Sequence, residues 1–350
     1  MRYLFLLALA SFPCFSAPTL TIYNWEYYLS NQVIEQWQQQ TGVKVEQVFF
    51  DSDSNRDNTL AELTHSSIDL VIVDGSASLQ FGNNGQLTNL TTKSEALPNR
   101  AHIPERWLQQ CGDYSIPYFW GTMGLVYRSD KMAPPRSWRD ILTPDEALQE
   151  HIGMLNDYWD LLLPPILLNH GSLRELNHEI LEAAYLSLRK QVPYVLTYQY
   201  PISFIAHSDQ ADQLYLSMGY SGDEVTLNEL SAHNSWKFVV PEEGTLLWMD
   251  CIAINAHSTQ QQLAMQFINF INDPTIAAVN ASEVGNASPN HSAIKLMKKT
   301  GRYEQALYPS ETAMKRSDFY TAFNFEATIL RSRIVNAILK EHQQYHKSNH

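Results

Sequence analysis

Apolar positions along this chain follow two periods, and the switches between them mark the elements. Leu20-Thr-Ile-Tyr-Asn-Trp25 reads as a strand. Ser30 then stands where a helix cap belongs, Val33, Ile34 and Trp37 share one face, and Gly42 supplies the stop. Val43-Lys-Val-Glu-Gln-Val48 is the next strand, so the segment is a βαβ unit and a largely parallel sheet is expected. Ile68-Asp-Leu-Val-Ile-Val73 reads as a buried strand, with Asp74-Gly75-Ser76 as the turn at its carboxyl end. Open α/β sheets bind ligands outside such strand ends, which makes Trp25 and Asp74 candidates for ligand contact.

The pattern continues through Tyr114–Gly121 and Leu125–Tyr127, then a Pro134-Pro135 loop before a helix at Trp138. Ile152–Leu155 is a short strand followed by Asp157-Tyr-Trp-Asp160. A helix is expected from Leu173 to Lys190, a strand over Tyr215–Met218, and then Gly219-Tyr220-Ser221-Gly222. Leu246–Ile254 is strand-like, and Gln260–Asn272 is an amphipathic helix stopped by Asp273-Pro274. The polar C-terminal tail is expected to fray. Across 350 residues this alternation points to α/β architecture and two domains.

The N-terminus changes the compartment. Arg2, the apolar run Leu4–Ala10 and the small residues to Ala17 read as a cleaved secretory signal over residues 1–17, with a cut after Ser16 fitting better than one after Ala17. Cys14 lacks the preceding small residues of a lipoprotein box, so a free, periplasmic mature chain is expected, without a membrane span. Cys111 and Cys251 remain; they can pair in an oxidising compartment, but the sequence does not fix their separation. The formal charge is -13, which argues against nucleic acid and is compatible with a cationic ligand or with plain solubility.

Several motifs, in order, resemble those of the periplasmic spermidine/putrescine-binding proteins (PotD- and PotF-like). They are Ile22-Tyr-Asn-Trp-Glu-Tyr-Tyr28, Asp113-Tyr-Ser-Ile-Pro-Tyr-Phe-Trp-Gly121, Pro241-Glu-Glu-Gly244 with Trp248-Met-Asp250, the Ala264–Pro274 helix, Ser288-Pro-Asn290 and Leu307-Tyr-Pro309. The resemblance implies a type II periplasmic-binding-protein fold, with two α/β lobes and a ligand cleft between them. It places lobe one at 18–125 plus 249–292 and lobe two at 126–248 plus 293–350. It also implies a linear polyamine of the spermidine or norspermidine kind, no cofactor, and hinge closure as a monomer on a membrane partner. That partner is either an inner-membrane sensor of the GGDEF/EAL type controlling cyclic-di-GMP, as for the NspS-like branch, or an ABC permease. The sensor is favoured because the turn at Asp74 and the residue at Asn286 depart from the importer pattern.

Carried over position by position, Trp25, Tyr28 and Trp248 match aromatics flanking the amine chain, and Tyr220 stands where Trp is usual. Asp250 is expected at the internal amine, Asp157 and Asp160 at one terminal amine, and Asp74 or Glu26 at the other. Asn286 replaces a Tyr, and Asp74-Gly75-Ser76 replaces an aromatic turn. The chemistry asks for these types: carboxylates replace the hydration of ammonium groups, and ring faces bind methylenes and attract cations. Plainer readings stand beside them. Asp74 can be a helix cap, Trp25 and Trp248 ordinary core, Glu26 a solvated side chain, and Asp160 the partner of an Arg; Asp223 reads as surface. Gly219-Tyr-Ser-Gly222 lacks the last glycine of a nucleophile elbow, and His178-Glu179 lacks a second zinc-spaced His. His342 and His346 are four apart on the tail and could hold a metal, though a solvated tail is the better reading. An enzyme is not expected, and no basic cluster is expected in the cleft.

Overall fold

In a computed structural model of the protein, the described residues are 18–50, 53–62, 67–173, 176–231, 234–319 and 325–349. The signal-peptide reading of residues 1–17 lies outside them. Among the described residues ten strands form one sheet: β1 (Thr19–Trp25), β2 (Lys44–Phe50), β3 (Leu70–Asp74), β4 (Ser115–Arg128), β5 (Ile152–Gly153), β6 (Val195–Thr197), β7 (Leu216–Tyr220), β8 (Trp236–Val239), β9 (Leu246–Ile254) and β10 (Asp318–Phe319). Their spatial order is β2-β1-β3-β9-β4-β7-β5-β6, with β10 beside β9 and β8 beside β4.

The βαβ expectation holds locally: α1 (Asn31–Thr41) joins β1 to a parallel β2. The Ser30 side chain accepts from the Val33 N–H, and Gly42, at φ 70°, closes the helix in the left-handed region where a β-carbon is unfavourable. The sheet as a whole is mixed, which corrects the largely parallel expectation. β3–β9, β4–β9, β4–β7 and β4–β8 are antiparallel pairs. The cause is β4, which is buried along its whole length and read in the sequence as two segments. Its first half pairs with β9 (Ser115 opposite Ala253, Thr122 opposite Leu247) and its second with β7 and β8.

This one strand spans two cores. The first gathers Leu20, Val33, Trp37, Leu70, Phe119, Ile252 and Phe267; the second gathers Leu125, Trp138, Ile166, Leu188, Met218 and Ile338. Residues 293–308, assigned above to lobe two, pack with the first core through Ala293, Met297, Leu307 and Tyr308. The chain returns to the second core only in the C-terminal helix Phe325–Asn349, through Ile334, Val335 and Ile338.

Other corrections have local causes. Asp74-Gly75-Ser76 is not a free turn but the start of α3 (Gly75–Asn83), capped by the Asp74 carboxylate on the Ser76 and Ala77 N–H groups. The helix expected from Leu173 begins at His178, because Asn177 caps it by accepting from Ile180 N–H. The tail does not fray: Tyr185 and Arg189 hold Glu341, and the His342 and His346 rings turn their Nε2 atoms to the Val195 carbonyl. Those histidines are thus engaged with the backbone. Among the described residues no group of three or more His, Cys, Asp or Glu is placed to hold a metal, and no helix is long and apolar enough to cross a membrane.

Cys111, at the end of α4 (Glu105–Cys111), forms a disulfide with Cys251 in β9, bridging a sequence separation of 140 residues. Both sulfurs lie in the first core. Closing so long a loop restricts the unfolded chain, so Cys111→Ser with Cys251→Ser lowers the unfolding free energy by about 2–5 kcal/mol in urea melts. Equal midpoints with and without reductant would contradict this.

Candidate functional site

The crossing of β4 and β9 fixes the site. Trp248 and Asp250 are two apart on β9 and therefore share a face. Asp250 lies opposite Asp74 across β3 and opposite Phe119 across β4; Trp248 lies opposite Gly121. Gly121 is required there, since a β-carbon would stand 2.4 Å from the Trp248 ring and 2.7 Å from Ser221 Oγ. Ser221 is tied to Thr122 by its N–H, at 2.9 Å, and by its Oγ, at 3.2 Å, which draws the loop after β7 against this crossing.

Tyr28 donates its hydroxyl to Asp250 at 2.7 Å. Its ring stands edge-on to Phe119, and its carbonyl accepts from Tyr118, whose hydroxyl in turn accepts from Asn280. Tyr28 is therefore positioned from both sides. Loss of solvent around Asp250 raises its carboxyl to about 7; Asp53 and Asp74 add to the rise, while the Tyr28 hydrogen bond and Arg56 oppose it. Burial, and then the Asp250 carboxylate, push the Tyr28 hydroxyl well above its ordinary value.

On the lobe-two side Asp160 is buried and accepts from the Tyr220 hydroxyl at 2.8 Å. Asp157 is half-buried and accepts from Trp159 N–H at 2.6 Å. The Asp157 charge reaches Asp53 of the opposite lobe, whose carboxyl is raised by lost solvent and by Asp74, Asp57 and Asp157, against the pull of Arg56. Asp157, beside the second core, thus lies near enough to Asp53 for its charge to act on that carboxyl.

Trp25, at the end of β1, packs edge-on against Phe50 at 4.4 Å. Asn286 follows the left-handed Gly285, whose carbonyl lies against Gly222, and precedes Ala287, bridged to Trp120. Glu26 is exposed. Asp74 divides itself between capping α3 and an ion pair with Arg56 at 2.8 Å. The structure therefore groups Tyr28, Asp74, Trp248 and Asp250 at the β4–β9 crossing, and Asp160 with Tyr220 at the end of β7, which pairs with the second half of β4; Asp157 lies within reach of Asp53. Trp25 and Asn286 stand at the margins of the crossing and Glu26 in solvent.

Three residues depart from the sequence-based expectation: Arg56, Asp53 and Asp223. Arg56, on α2 (Asp53–Ala61), is buried and contacts Asp53 at 2.7 Å, Asp57 at 2.8 Å and Asp74 at 2.8 Å. It sets a cation beside the carboxylates where none was expected. The spacing Asp53-Ser-Asn-Arg56 held part of the signal, since an acid three before an Arg reaches it on a helix. Asp53 comes with it. Asp223 is buried rather than surface: it accepts from the Tyr200 hydroxyl at 2.5 Å and from Tyr220 N–H, and burial raises it to about 7. A separate groove of about 540 Å³ on the first core is lined by amides such as Gln36, Gln40, Gln266 and Asn269 and lacks this gathering of carboxylates.

Known proteins resemble this chain along most of its length. The pattern that defines the bacterial extracellular solute-binding proteins matches residues 32–306. A norspermidine sensor of Vibrio cholerae is 32% identical over 94% of this chain and 90% of its own. A spermidine/putrescine-binding periplasmic protein of Salmonella typhimurium is 26% identical over 86% of each chain. The PotD structure from Streptococcus pneumoniae superposes with a TM-score of 0.82 at 23% identity, over 93% of this chain and 100% of that one, a likeness of fold.

In the folded chain Asp250 and Asp223 hold protons up to about pH 7, whereas an unfolded Asp releases its proton near 4. Between those values the folded state binds more protons, so its stability is full below about pH 4 and falls as pH rises towards 7. Asp250→Asn, which keeps the shape and removes one titration, flattens that fall in urea melts at pH 5 and pH 7.5. An unaltered slope in the variant would rule out this assignment.

Proposed function

This chain belongs to the bacterial extracellular solute-binding protein family, and we propose that it is a periplasmic polyamine receptor that closes on a triamine and reports to a membrane partner. One observation supports the reading most: buried carboxylates held by tyrosine hydroxyls, Asp250 by Tyr28 and Asp160 by Tyr220, sit on strands joined through β4, and the Asp157 charge reaches Asp53. An ammonium group entering between them replaces its hydration with charge-assisted hydrogen bonds and relieves the repulsion among the acids. Methylenes between ammonium groups lie against the rings. Asp250 takes the internal amine, and Asp157 with Asp160 takes one terminal amine.

Membership in a solute-binding family argues for capture and release rather than turnover. The mature chain begins near residue 18, after the signal. Its likeness to a norspermidine sensor at 32% identity favours a signalling partner of the GGDEF/EAL kind. The spermidine/putrescine-binding relatives at 26% favour the second reading, delivery to an ABC permease. Both need a closed form whose lobe surfaces are read by a membrane protein. Co-purification of the amine-loaded protein with each candidate membrane protein separates them.

Calorimetry with putrescine, norspermidine, spermidine and spermine is expected to rank the triamines first. Asp250→Asn lowers their affinity at least tenfold. Retained affinity in a folded Asp250→Asn protein would remove Asp250 from the site. Because cation binding favours the ionised carboxylate, amine uptake near pH 6 also releases protons, read as a dependence of the heat on buffer ionisation enthalpy; Asp250→Asn reduces that release.

A further inference from the structure

Arg56 is covered by protein to 99% of its side chain, leaving 1% exposed, and is held by three carboxylates that remain partly open: Asp53, Asp57 and Asp74. Asp74 is the residue directly opposite Asp250 in the β3–β9 pair. Residues so opposed stand about 4.5–5.5 Å apart at their Cα atoms and project to the same face. The guanidinium is therefore one carboxylate removed from the acceptor assigned to the internal amine. Phe50 lies under the guanidinium, 5.9 Å away, and also packs edge-on against Trp25.

We propose that Arg56 is a resident cation occupying the lobe-one end of the cleft, where it stands in for a ligand ammonium and so limits the charge and length of the amine accepted. This rests on the amine-binding reading above. A planar guanidinium donates through several N–H groups at once, which suits it to three acids, whereas an ammonium presents a single charged centre. Removing a buried charge from such a set is unfavourable, so a ligand does not displace it. A ligand ammonium placed beside it meets like charge. The acceptor positions left are Asp250 and the Asp157/Asp160 end, which suit two or three ammonium groups. A tetra-amine brings its further charge towards Arg56.

The competing view is that Arg56 only fastens α2 to β3. That role affects stability and all amines alike, whereas a resident cation alters the ratio between amines of different charge. Calorimetry with norspermidine and spermine on the full mature chain, with melting temperatures followed in parallel, separates the two. Wild-type protein is expected to favour norspermidine at least tenfold. Arg56→Met narrows that preference at least tenfold, and Arg56→Lys, which keeps the charge, leaves it within threefold. Asp57→Asn, at a half-exposed position and with Asp53 and Asp74 still holding Arg56, widens the preference at least threefold, and it decides the matter alone if Arg56→Met does not fold. A folded Arg56→Met protein with an unchanged ratio, an unchanged ratio in Asp57→Asn, or a wild type that prefers spermine overturns the proposal. Absence of any amine binding by the wild type overturns the receptor reading and this one together.

Discussion

Like charges held close together at the junction of two lobes are the constraint on which this structure turns. Asp74 and Asp157 act on Asp53, Asp53 and Asp74 act on Asp250, and Arg56 supplies one positive charge to the group. Carboxylates deprived of water resist ionisation, and crowding strengthens the resistance. The protein meets part of this cost with hydroxyl donors, Tyr28 to Asp250 and Tyr220 to Asp160, and leaves the rest to be relieved from outside. The tyrosines are thus both aromatic walls and holders of the acids, a double duty that explains why each is itself fixed by neighbours.

That arrangement needs a frame in which residues from both lobes keep their distance. The long β4 and its antiparallel partner β9 provide it, because a strand buried from Ser115 to Arg128 belongs to both cores and bends only as they move. Side-chain alternation then fixes which residues face the cleft: Trp248 and Asp250 do so together or not at all. Gly121 lets the indole lie flat against the strand. Small shifts between lobes are thereby converted into changes in how acids and rings confront each other.

Much of this was legible in residue order, and the reasons differ by element. The Ser30 cap, the Gly42 stop and the β9 run are local signals, and they appear where local chemistry puts them. The mixed sheet was not legible, because strand direction is decided by which distant strand lies alongside. Asp74 was readable both as a cap and as a ligand contact, and the structure shows the cap plus a partner, Arg56, that lies eighteen residues earlier in the chain. Asp223 looked like surface because it follows a Gly-rich loop; its burial depends on Tyr200, which nothing local connects to it. The tail histidines misled for the same reason, since the carbonyl they address belongs to Val195, far back in the sequence.

The disulfide has a mechanical corollary. Cys251 is the residue next to Asp250, and its sulfur is tethered to the end of α4 in the first core. From that rivet onward β9 cannot slide relative to lobe one, so any pivot in this strand must fall on its stretch before the tether, Leu246 to Asp250. Oxidation in the extracytoplasmic space would therefore do more than toughen the fold: it would decide where the jaw turns, and keep one wall of it still.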